Sequence, residues 1–352
     1  MEIKVSKTAN SRLESVDFNN LQFGRTFSDH MFVAEFENGQ WSDFQIIPFS
    51  EFSLSPASAS LHYGQTIFEG LKAFRDKNDE VVLFRPEYNW ERFCQSAKRM
   101  CMAEVPKEVF MEGLRKLLSI DQGWVPSNQG SSLYIRPYMF ADEDFLGVKP
   151  SSKYKFVIIT SPAASYYSGA VKVKVEKKFV RAAEGGVGMA KNGGNYAASL
   201  YPARLAQDQG FHQLIWTDSK THEYIEEAGT MNIMVVINDV LMTPSIDKNT
   251  VLKGKTRDSI IQIAKSWGMK VEERPIKVNE IKEAQLNGTL NEVFGAGTAA
   301  TVAPISTISI DDVNYEIPHL VEGSFSQRVS KYLSDLRLGL VSDEFDWMQK
   351  AF

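Results

Sequence analysis

Apolar runs and turn-forming residues alternate along the first half of the chain, which predicts short strands mixed with helices. The pattern indicates a strand over His30–Phe36, and the Asn38-Gly39 turn leads into a second strand near Phe44–Pro48. Two later segments repeat apolar residues at helical spacing, so we predict helices over Glu87–Met102 and Glu108–Ser119. This mixture indicates an α/β or α+β fold.

The second half continues the mixture of strands and helices. The apolar run Lys155–Thr160 predicts a buried strand. Pro202 interrupts the helical pattern of Ala197–Gln209, so we expect a kink or a late helix start there. The other predicted elements are strands at 171–175, His212–Thr217 and Asn232–Ile237, and helices at Arg257–Trp267 and Ser326–Leu338.

A stretch of small residues marks a candidate domain boundary. Residues 162–169 read PAASYYSG, between two strand-like runs. A chain of 352 residues holds two domains at about 150 residues each. We therefore predict an N-terminal small domain over residues 1–162, a linker over 163–170 and a C-terminal large domain over 171–352.

Composition and charge exclude several classes of protein. The net charge of -5 argues against a nucleic-acid-binding protein, which usually has a basic face. No apolar run reaches the roughly 18 residues of a membrane span, and the N-terminus has no apolar signal region. The two cysteines, Cys94 and Cys101, are too few for a disulfide framework and are predicted to be buried on one helix. We expect a cytoplasmic enzyme without a metal site.

Familiar catalytic motifs are missing from the sequence. There is no GxSxG or HExxH, and the five histidines are scattered. Residues 253–256 read KGKT, but a triphosphate-binding loop needs glycine where this chain has Asn249. Gly254 and Thr256 still lie at the start of a predicted helix, and the free N–H groups of a helix N-terminus can bind phosphate. A plain N-terminal turn explains these residues equally well.

Three other segments suggest cofactor chemistry. Gly185–Tyr196 places five glycines around Lys191, which allows left-handed backbone and close approach to a planar ligand. Such a lysine can form a covalent link to a carbonyl group, although a flexible loop with a solvated lysine is the simpler alternative.

The second segment contains Glu226 and Glu227 just before a predicted buried strand. A carboxylate near a pyridine nitrogen keeps the ring of a pyridoxal cofactor protonated. We expect Glu227 to have this role and Glu226 to be solvated in a turn. The third segment, Gly295–Ala300, is a loop of small residues that could bind an anion through its N–H groups.

Together these segments resemble the branched-chain amino-acid aminotransferases, pyridoxal-phosphate enzymes of fold type IV. The resemblance covers roughly residues 20 to 350. Its motifs are KNGGNY (191–196), EEAGTMN (226–232), VFGAGTAA (293–300), FG (23–24), FSDHM (27–31), LHYG (61–64), FEG (68–70), LFRP (83–86) and YIRP (134–137). It implies a smaller N-terminal α/β domain, a larger C-terminal domain with a β-barrel-like core, and a cofactor between them.

The resemblance also implies a role for individual residues. Lys191 would be the catalytic residue, covalently linked to pyridoxal 5′-phosphate and moving a proton during transamination. The other cofactor-binding residues would be Arg85, Tyr196, Glu227, Lys255, Thr256 and Thr298. The substrate pocket would contain Phe27, Tyr63, Phe68, Tyr134, Arg136, Tyr166, Thr298 and Ala299, with Val148 reaching the pocket of the partner in a homodimer.

The implied reaction is transamination between leucine, isoleucine or valine and 2-oxoglutarate. Aromatic walls with hydroxyl groups and one arginine, Arg136, can accept both an aliphatic side chain and a second carboxylate. Ordinary core packing remains an alternative for Phe68. The rival functions are a D-amino-acid aminotransferase or aminodeoxychorismate lyase of the same fold type, a cofactor-binding protein without activity, and a triphosphate-binding module. The sequence leaves biosynthetic and degradative use equally open.

Overall fold

The computed structural model describes residues 1–128, 130–164, 169–319 and 321–352. The chain forms two compact units. The first comprises Met1–Tyr166, Ala190–Gly194 and Ser334–Phe352, and the second comprises Tyr167–Met189 and Asn195–Leu333. The segment that contains Lys191 therefore belongs to the first unit. The domain boundaries at residues 162 and 171 stay a prediction.

The described residues contain nineteen strands in two sheets. In chain order they are β1 Lys4–Val5, β2 His30–Glu37, β3 Gln40–Pro48, β4 Thr66–Phe68, β5 Leu71–Arg75, β6 Val81–Phe84, β7 Ser132–Ala141, β8 Tyr154–Ala163, β9 Val171–Val175, β10 Gln213–Thr217, β11 Tyr224–Ala228, β12 Met231–Ile237, β13 Val240–Thr243, β14 Val271–Glu273, β15 Ile276–Lys277, β16 Leu290–Gly297, β17 Thr301–Ile310, β18 Val313–Glu316 and β19 Met348–Lys350.

Seven α-helices accompany these strands in the described part of the chain. They are α1 Ala59–Tyr63, α2 Pro86–Arg99, α3 Lys107–Ile120, α4 Gly193–Asp208, α5 Lys255–Ser266, α6 Val278–Leu286 and α7 Phe325–Arg337. None of the described helices is both long and apolar enough to cross a membrane.

The first unit is a sheet with the order β1-β3-β2-β8-β7-β5-β6-β19, and β4 pairs with β7. The apolar stripes of α2 and α3 belong to its core. Phe93 of α2 and Phe110 of α3 both contact Phe156 of β8, with ring centroids 5.4 and 5.7 Å away. All three rings are completely buried, which explains the helical spacing of apolar residues in the sequence.

The second unit contains a closed barrel. Strands β12, β16, β17, β9, β10 and β11 pair in this order, and β11 pairs with β12 to close the ring. Closure leaves no free edge, so β11 has a partner on both sides: Glu227 lies opposite Trp216 of β10 and Asn232 of β12. The predicted β-barrel-like core is confirmed.

The structure confirms most predicted elements but corrects two details. Helix α4 begins at Gly193 and continues through Pro202, so the late helix start predicted at Pro202 is wrong. Helix α2 ends at Arg99, and Cys101 adopts a left-handed backbone with φ of 52°. Cys101 is therefore exposed, whereas Cys94 is buried as predicted. The shared helix that the prediction assumed stops before it reaches Cys101.

Candidate functional site

The backbone of Lys191 is fixed on both sides within the first unit. Its N–H donates to Ser96 Oγ at 2.9 Å, and its carbonyl accepts from the N–H of Phe68 at 3.0 Å. Its Nζ lies 4.7 Å from the centroid of the Phe68 ring. The predicted cofactor lysine thus has a defined position, and its amine lies against an aromatic face.

The glycines around Lys191 act mainly through close packing. Of the five, only Gly185 has a positive φ, at 79°. A Cβ on Gly193 would lie 2.6 Å from Thr66 Oγ1, and one on Gly188 would lie 2.6 Å from the carbonyl oxygen of Thr250. The predicted left-handed backbone is therefore confirmed at Gly185, whereas steric exclusion of Cβ explains Gly188 and Gly193.

Phe68, Tyr134 and Arg136, three residues predicted for the substrate pocket, lie together, and the amine of Lys191 lies over the Phe68 ring. The guanidinium of Arg136 lies 4.6 Å from the Phe68 ring centroid and 5.2 Å from that of Tyr134. Its Nη2 donates to the Tyr134 hydroxyl at 2.8 Å. Phe23 packs edge-on against Tyr134 at 4.8 Å. Two cations and several aromatic faces therefore share one region, which differs from ordinary apolar packing of Phe68.

The remaining pocket predictions in this unit have other surroundings. Phe27 stacks on Phe49, with ring centroids 4.8 Å apart. Tyr63 is 45% exposed and Val148 is 91% exposed. Tyr166 lies outside the described residues. Their roles in the pocket stay predictions.

Arg85 joins β6 to α2 in a strained conformation. Its φ of 48° and ψ of 54° are left-handed, which is uncommon for a residue with a Cβ. The guanidinium lies over the rings of Tyr88 and Trp347, at 4.9 and 5.0 Å. Strain of this kind concentrates at functional sites, consistent with the phosphate-binding role predicted for Arg85.

The sequence reading missed Lys72, which lies on β5 opposite Tyr134 of β7. Burial, with a smaller contribution from the charge of Arg337, lowers the pKa of Lys72 to about 7. The sequence alone does not show that Lys72 is buried, because its burial depends on elements far away in the chain.

We expect the Lys72→Met variant to show a changed pH dependence of stability. Between pH 7 and the ordinary lysine pKa of 10.5, the unfolded chain binds a proton at Lys72 that the folded chain does not. The contribution of Lys72 to stability therefore rises with pH across this window. The variant, saturated with cofactor, should be more stable than wild type near pH 7, and thermal unfolding should show the difference shrinking toward pH 10. A constant difference would contradict the lowered pKa.

In the second unit, Glu227 is a buried carboxylate with an arginine partner. It is 4% exposed. Its Oε2 lies 3.0 Å from Nε of Arg181, and its Oε1 accepts from the N–H of Leu252 at 2.7 Å. Arg181 also donates to the carbonyl of Thr250. The sequence reading did not identify Arg181, because nothing near it in sequence indicates its partner.

The structure corrects the prediction for Glu226. It is 6% exposed, because β11 is an interior strand of the barrel rather than a solvated turn. Its Oε2 makes no hydrogen bond with the described part of the chain. Burial raises the pKa of Glu226, so this carboxyl group favours its neutral form more than an ordinary glutamate does.

The start of α5 supplies buried N–H groups. Lys255 and Thr256, in its first turn, are 4% and 3% exposed. A Cβ on the preceding Gly254 would collide with Asn232 Oδ1, so glycine is required at this helix start. Such a terminus binds phosphate groups well.

Three further predicted residues lie elsewhere in the second unit. Thr298 and Ala299 occupy the turn between β16 and β17, and Tyr196 lies in α4. The first unit supplies an amine, at Lys191, and the second unit supplies a buried carboxylate, at Glu227, and a helix start, at Lys255. These are the kinds of group that bind a phosphorylated pyridine aldehyde. The described residues contain no group of three His, Cys, Asp or Glu side chains that could bind a metal.

Comparison with known proteins places the chain in a family. Residues 66–308 match Amino-transferase class IV. The chain is 44% identical over 335 residues to branched-chain-amino-acid aminotransferase 2 of Bacillus subtilis (strain 168), covering 94% of this chain and 92% of that protein. It is 43% identical over 339 residues to the probable branched-chain-amino-acid aminotransferase of Staphylococcus epidermidis (strain ATCC 12228 / FDA PCI 1200), covering 95% and 94%.

Solved structures agree with this placement. The branched-chain amino acid aminotransferase of Escherichia coli matches with a TM-score of 0.75 at 26% identity, covering 92% of this chain and 99% of that one. The T.th. branched-chain amino acid aminotransferase, complexed with N-(5′-phosphopyridoxyl)-L-glutamate, matches with a TM-score of 0.74 at 25% identity, covering 91% and 98%. The buried carboxylate, the fixed lysine, the barrel and these matches lead to one conclusion: the chain belongs to the class IV aminotransferases.

Proposed function

We propose that Lys191, Glu227 and Arg85 are the residues with which this chain holds pyridoxal 5′-phosphate and transfers amino groups. The chain is a pyridoxal-phosphate-dependent branched-chain-amino-acid aminotransferase, which converts leucine, isoleucine or valine and 2-oxoglutarate into branched-chain 2-oxo acids and glutamate. The geometry of Lys191 best supports the residue assignment. Hydrogen bonds fix both its N–H and its carbonyl, and its amine lies over the Phe68 ring.

Each side chain has a chemical task in this proposal. Pyridoxal phosphate, when bound, supplies a ring that withdraws electrons from the substrate carbon. Lys191 would hold the cofactor through its amine and would move a proton at the substrate α-carbon. Glu227, held by Arg181, provides negative charge at the ring nitrogen.

Phosphate and substrate contacts complete the assignment. Arg85, Lys255, Thr256 and Thr298 would bind the phosphate, the arginine through charge-assisted hydrogen bonds, and Tyr196 would hydrogen-bond the ring hydroxyl. A further set would line the substrate pocket: Phe27, Tyr63, Phe68, Tyr134, Arg136, Tyr166, Thr298 and Ala299. A homodimer, with Val148 reaching the partner's pocket, and a cytoplasmic location are part of the same proposal.

A panel of amino donors tests the substrate class. With 2-oxoglutarate as acceptor, we expect leucine, isoleucine and valine all to react, with kcat/KM values within roughly 10–200-fold, because one methylene in an apolar pocket discriminates only that much. D-alanine and D-leucine should react much more slowly, and coupled measurement of glutamate formation checks this. Faster transfer from D-alanine than from L-leucine would favour the rival D-amino-acid aminotransferase.

A further inference from the structure

A buried polar stripe on α2 has no assigned role beyond the hydrogen bond between Ser96 and the Lys191 N–H. Asn89, Arg92 and Ser96 lie three and four residues apart, which places them on one face of the helix. Asn89 and Ser96 are completely buried and Arg92 is 5% exposed. Buried polar and charged side chains are costly unless they have partners, so the partners of this stripe indicate what it does.

Glu69, which directly follows Phe68, is the partner of Arg92 and Asn89. It is completely buried. Arg92 donates to it twice, from Nε to Oε1 at 2.6 Å and from Nη2 to Oε2 at 2.8 Å, and Asn89 donates to Oε2 at 2.7 Å. Two parallel charge-assisted bonds fix the orientation of both side chains. The pair therefore joins α2 firmly to the chain after β4.

The charge of Glu69 is maintained despite its burial. Burial by itself raises the pKa of this carboxyl group. The opposing effects together are larger: the charge and hydrogen bonds of Arg92, the charge of Lys191 and the hydrogen bond from Asn89. The pKa of Glu69 therefore lies below its ordinary value. Lys191 is thus close enough to interact electrostatically with Glu69.

Both elements joined by Glu69 also hold the backbone of Lys191. Ser96 of α2 accepts the Lys191 N–H, and Phe68 of β4 donates to the Lys191 carbonyl. A further bridge pairs Ile67 with Asn192, the next residue. Because Glu69 fixes α2 to the end of β4, it also fixes the two anchors of the lysine relative to each other.

We propose that Glu69 is a positioning residue, which acts with Arg92 and Ser96 to place the amine of Lys191 for reaction. This inference rests on the proposed function, in which Lys191 binds the cofactor. Glu69 would act through the backbone around Lys191 and the Phe68 ring beside its amine. A displacement of about 1 Å at a reacting group can lower a rate roughly 100-fold, so the loss of this arrangement has a measurable effect.

The test uses Glu69→Gln and Ser96→Ala in the full-length enzyme. Stopped-flow absorbance should show each variant, freed of cofactor, binding pyridoxal phosphate covalently at least about tenfold more slowly than wild type. In the reloaded enzymes, kcat for leucine should fall about 10–100-fold while KM changes little, the result expected when an interaction acts on the reaction rather than on binding. The pH at which the absorption band of the bound cofactor changes should also shift.

Glu280→Gln is the matched control. Glu280 bridges Arg274 in the second unit at 3.0 Å, so its loss also breaks an arginine–glutamate pair but not one next to Lys191. It should lower thermal stability without slowing cofactor attachment. Should Glu69→Gln fail to fold, Ser96→Ala decides, because it removes one hydroxyl group and no charge.

The outcomes separate this inference from the proposed function. Borohydride reduction and peptide mapping identify the lysine that carries the cofactor in each sample. Slow attachment at Lys191 in both variants supports the positioning role. Attachment at the wild-type rate, with the adduct on Lys191, would overturn the positioning role and leave the proposed function intact. An adduct on another lysine in wild type would overturn the assignment of Lys191 on which the proposed function and this inference both rest.

Discussion

Replacement of Lys191 by alanine is expected to remove transaminase activity while leaving the fold intact. In the proposed function the amine would supply both the covalent attachment and the proton transfer, and general acid–base catalysis alone contributes about 10²–10⁴-fold. Ser96 and Phe68 bind the backbone of residue 191, so these two hydrogen bonds are retained in the alanine variant. Purified wild type should be yellow, and the variant should lose the band of covalently bound cofactor.

The matched control for this change is Lys172→Ala. Lys172 is an exposed lysine of β9, so its removal should leave activity and colour unchanged. Circular dichroism and thermal unfolding without cofactor should be similar for wild type and both variants. A borohydride adduct on any lysine other than Lys191, or a fully active Lys191→Ala variant, would contradict the assignment.

Replacement of Glu227 by glutamine is expected to have the second largest effect. It leaves Arg181 without its carboxylate partner and removes the negative charge from the proposed position of the ring nitrogen. Breaking a buried ion pair costs about 3–5 kcal/mol of stability, and a loss of the same size in transition-state stabilisation would lower kcat/KM by roughly 160–4700-fold. Steady-state kinetics with leucine and 2-oxoglutarate measures the loss.

The adjacent Glu226 provides a close control. Burial raises the pKa of Glu226, so glutamine resembles the neutral carboxyl group in size and charge. We expect Glu226→Gln to lose less than about tenfold in activity, since each 1.36 kcal/mol of transition-state stabilisation is tenfold. Equal losses in the two variants would show that the carboxylate of Glu227 has no special role.

Local patterns carried much of the information about the fold. The helices α2, α3, α5 and α7 and the strands β2, β8 and β12 follow from apolar spacing and turn residues, because these signals are contained in the segments themselves. Strand β11 was missed, since its sequence YIEEA contains two acids and resembles a solvated turn. Only closure of the barrel, which depends on strands far away in the chain, buries Glu226.

The same distinction applies to the candidate site. Lys191, Glu227 and Arg85 were predicted from recognisable motifs, and their roles stay predictions. Arg181, Lys72 and Arg92 were not predicted, and Glu69 received no role although it stands in the FEG motif, because a charged residue in a single sequence looks the same whether it is buried or exposed. Their importance comes from partners that the fold supplies, such as Thr250 for Arg181.

Pairing between distant strands has a consequence for synthesis on the ribosome. The edge strand β19 pairs with β6, and β17 pairs with β9 inside the barrel. Chain segments fold as they emerge, starting from the amino end. Strands β6 and β9, however, must wait for β19 and β17, which are synthesised much later. The first sheet thus stays incomplete until β19 is translated, and closing such long loops is slow. A nascent chain therefore carries exposed strand edges through most of its synthesis, when it is most open to aggregation and to protection by chaperones.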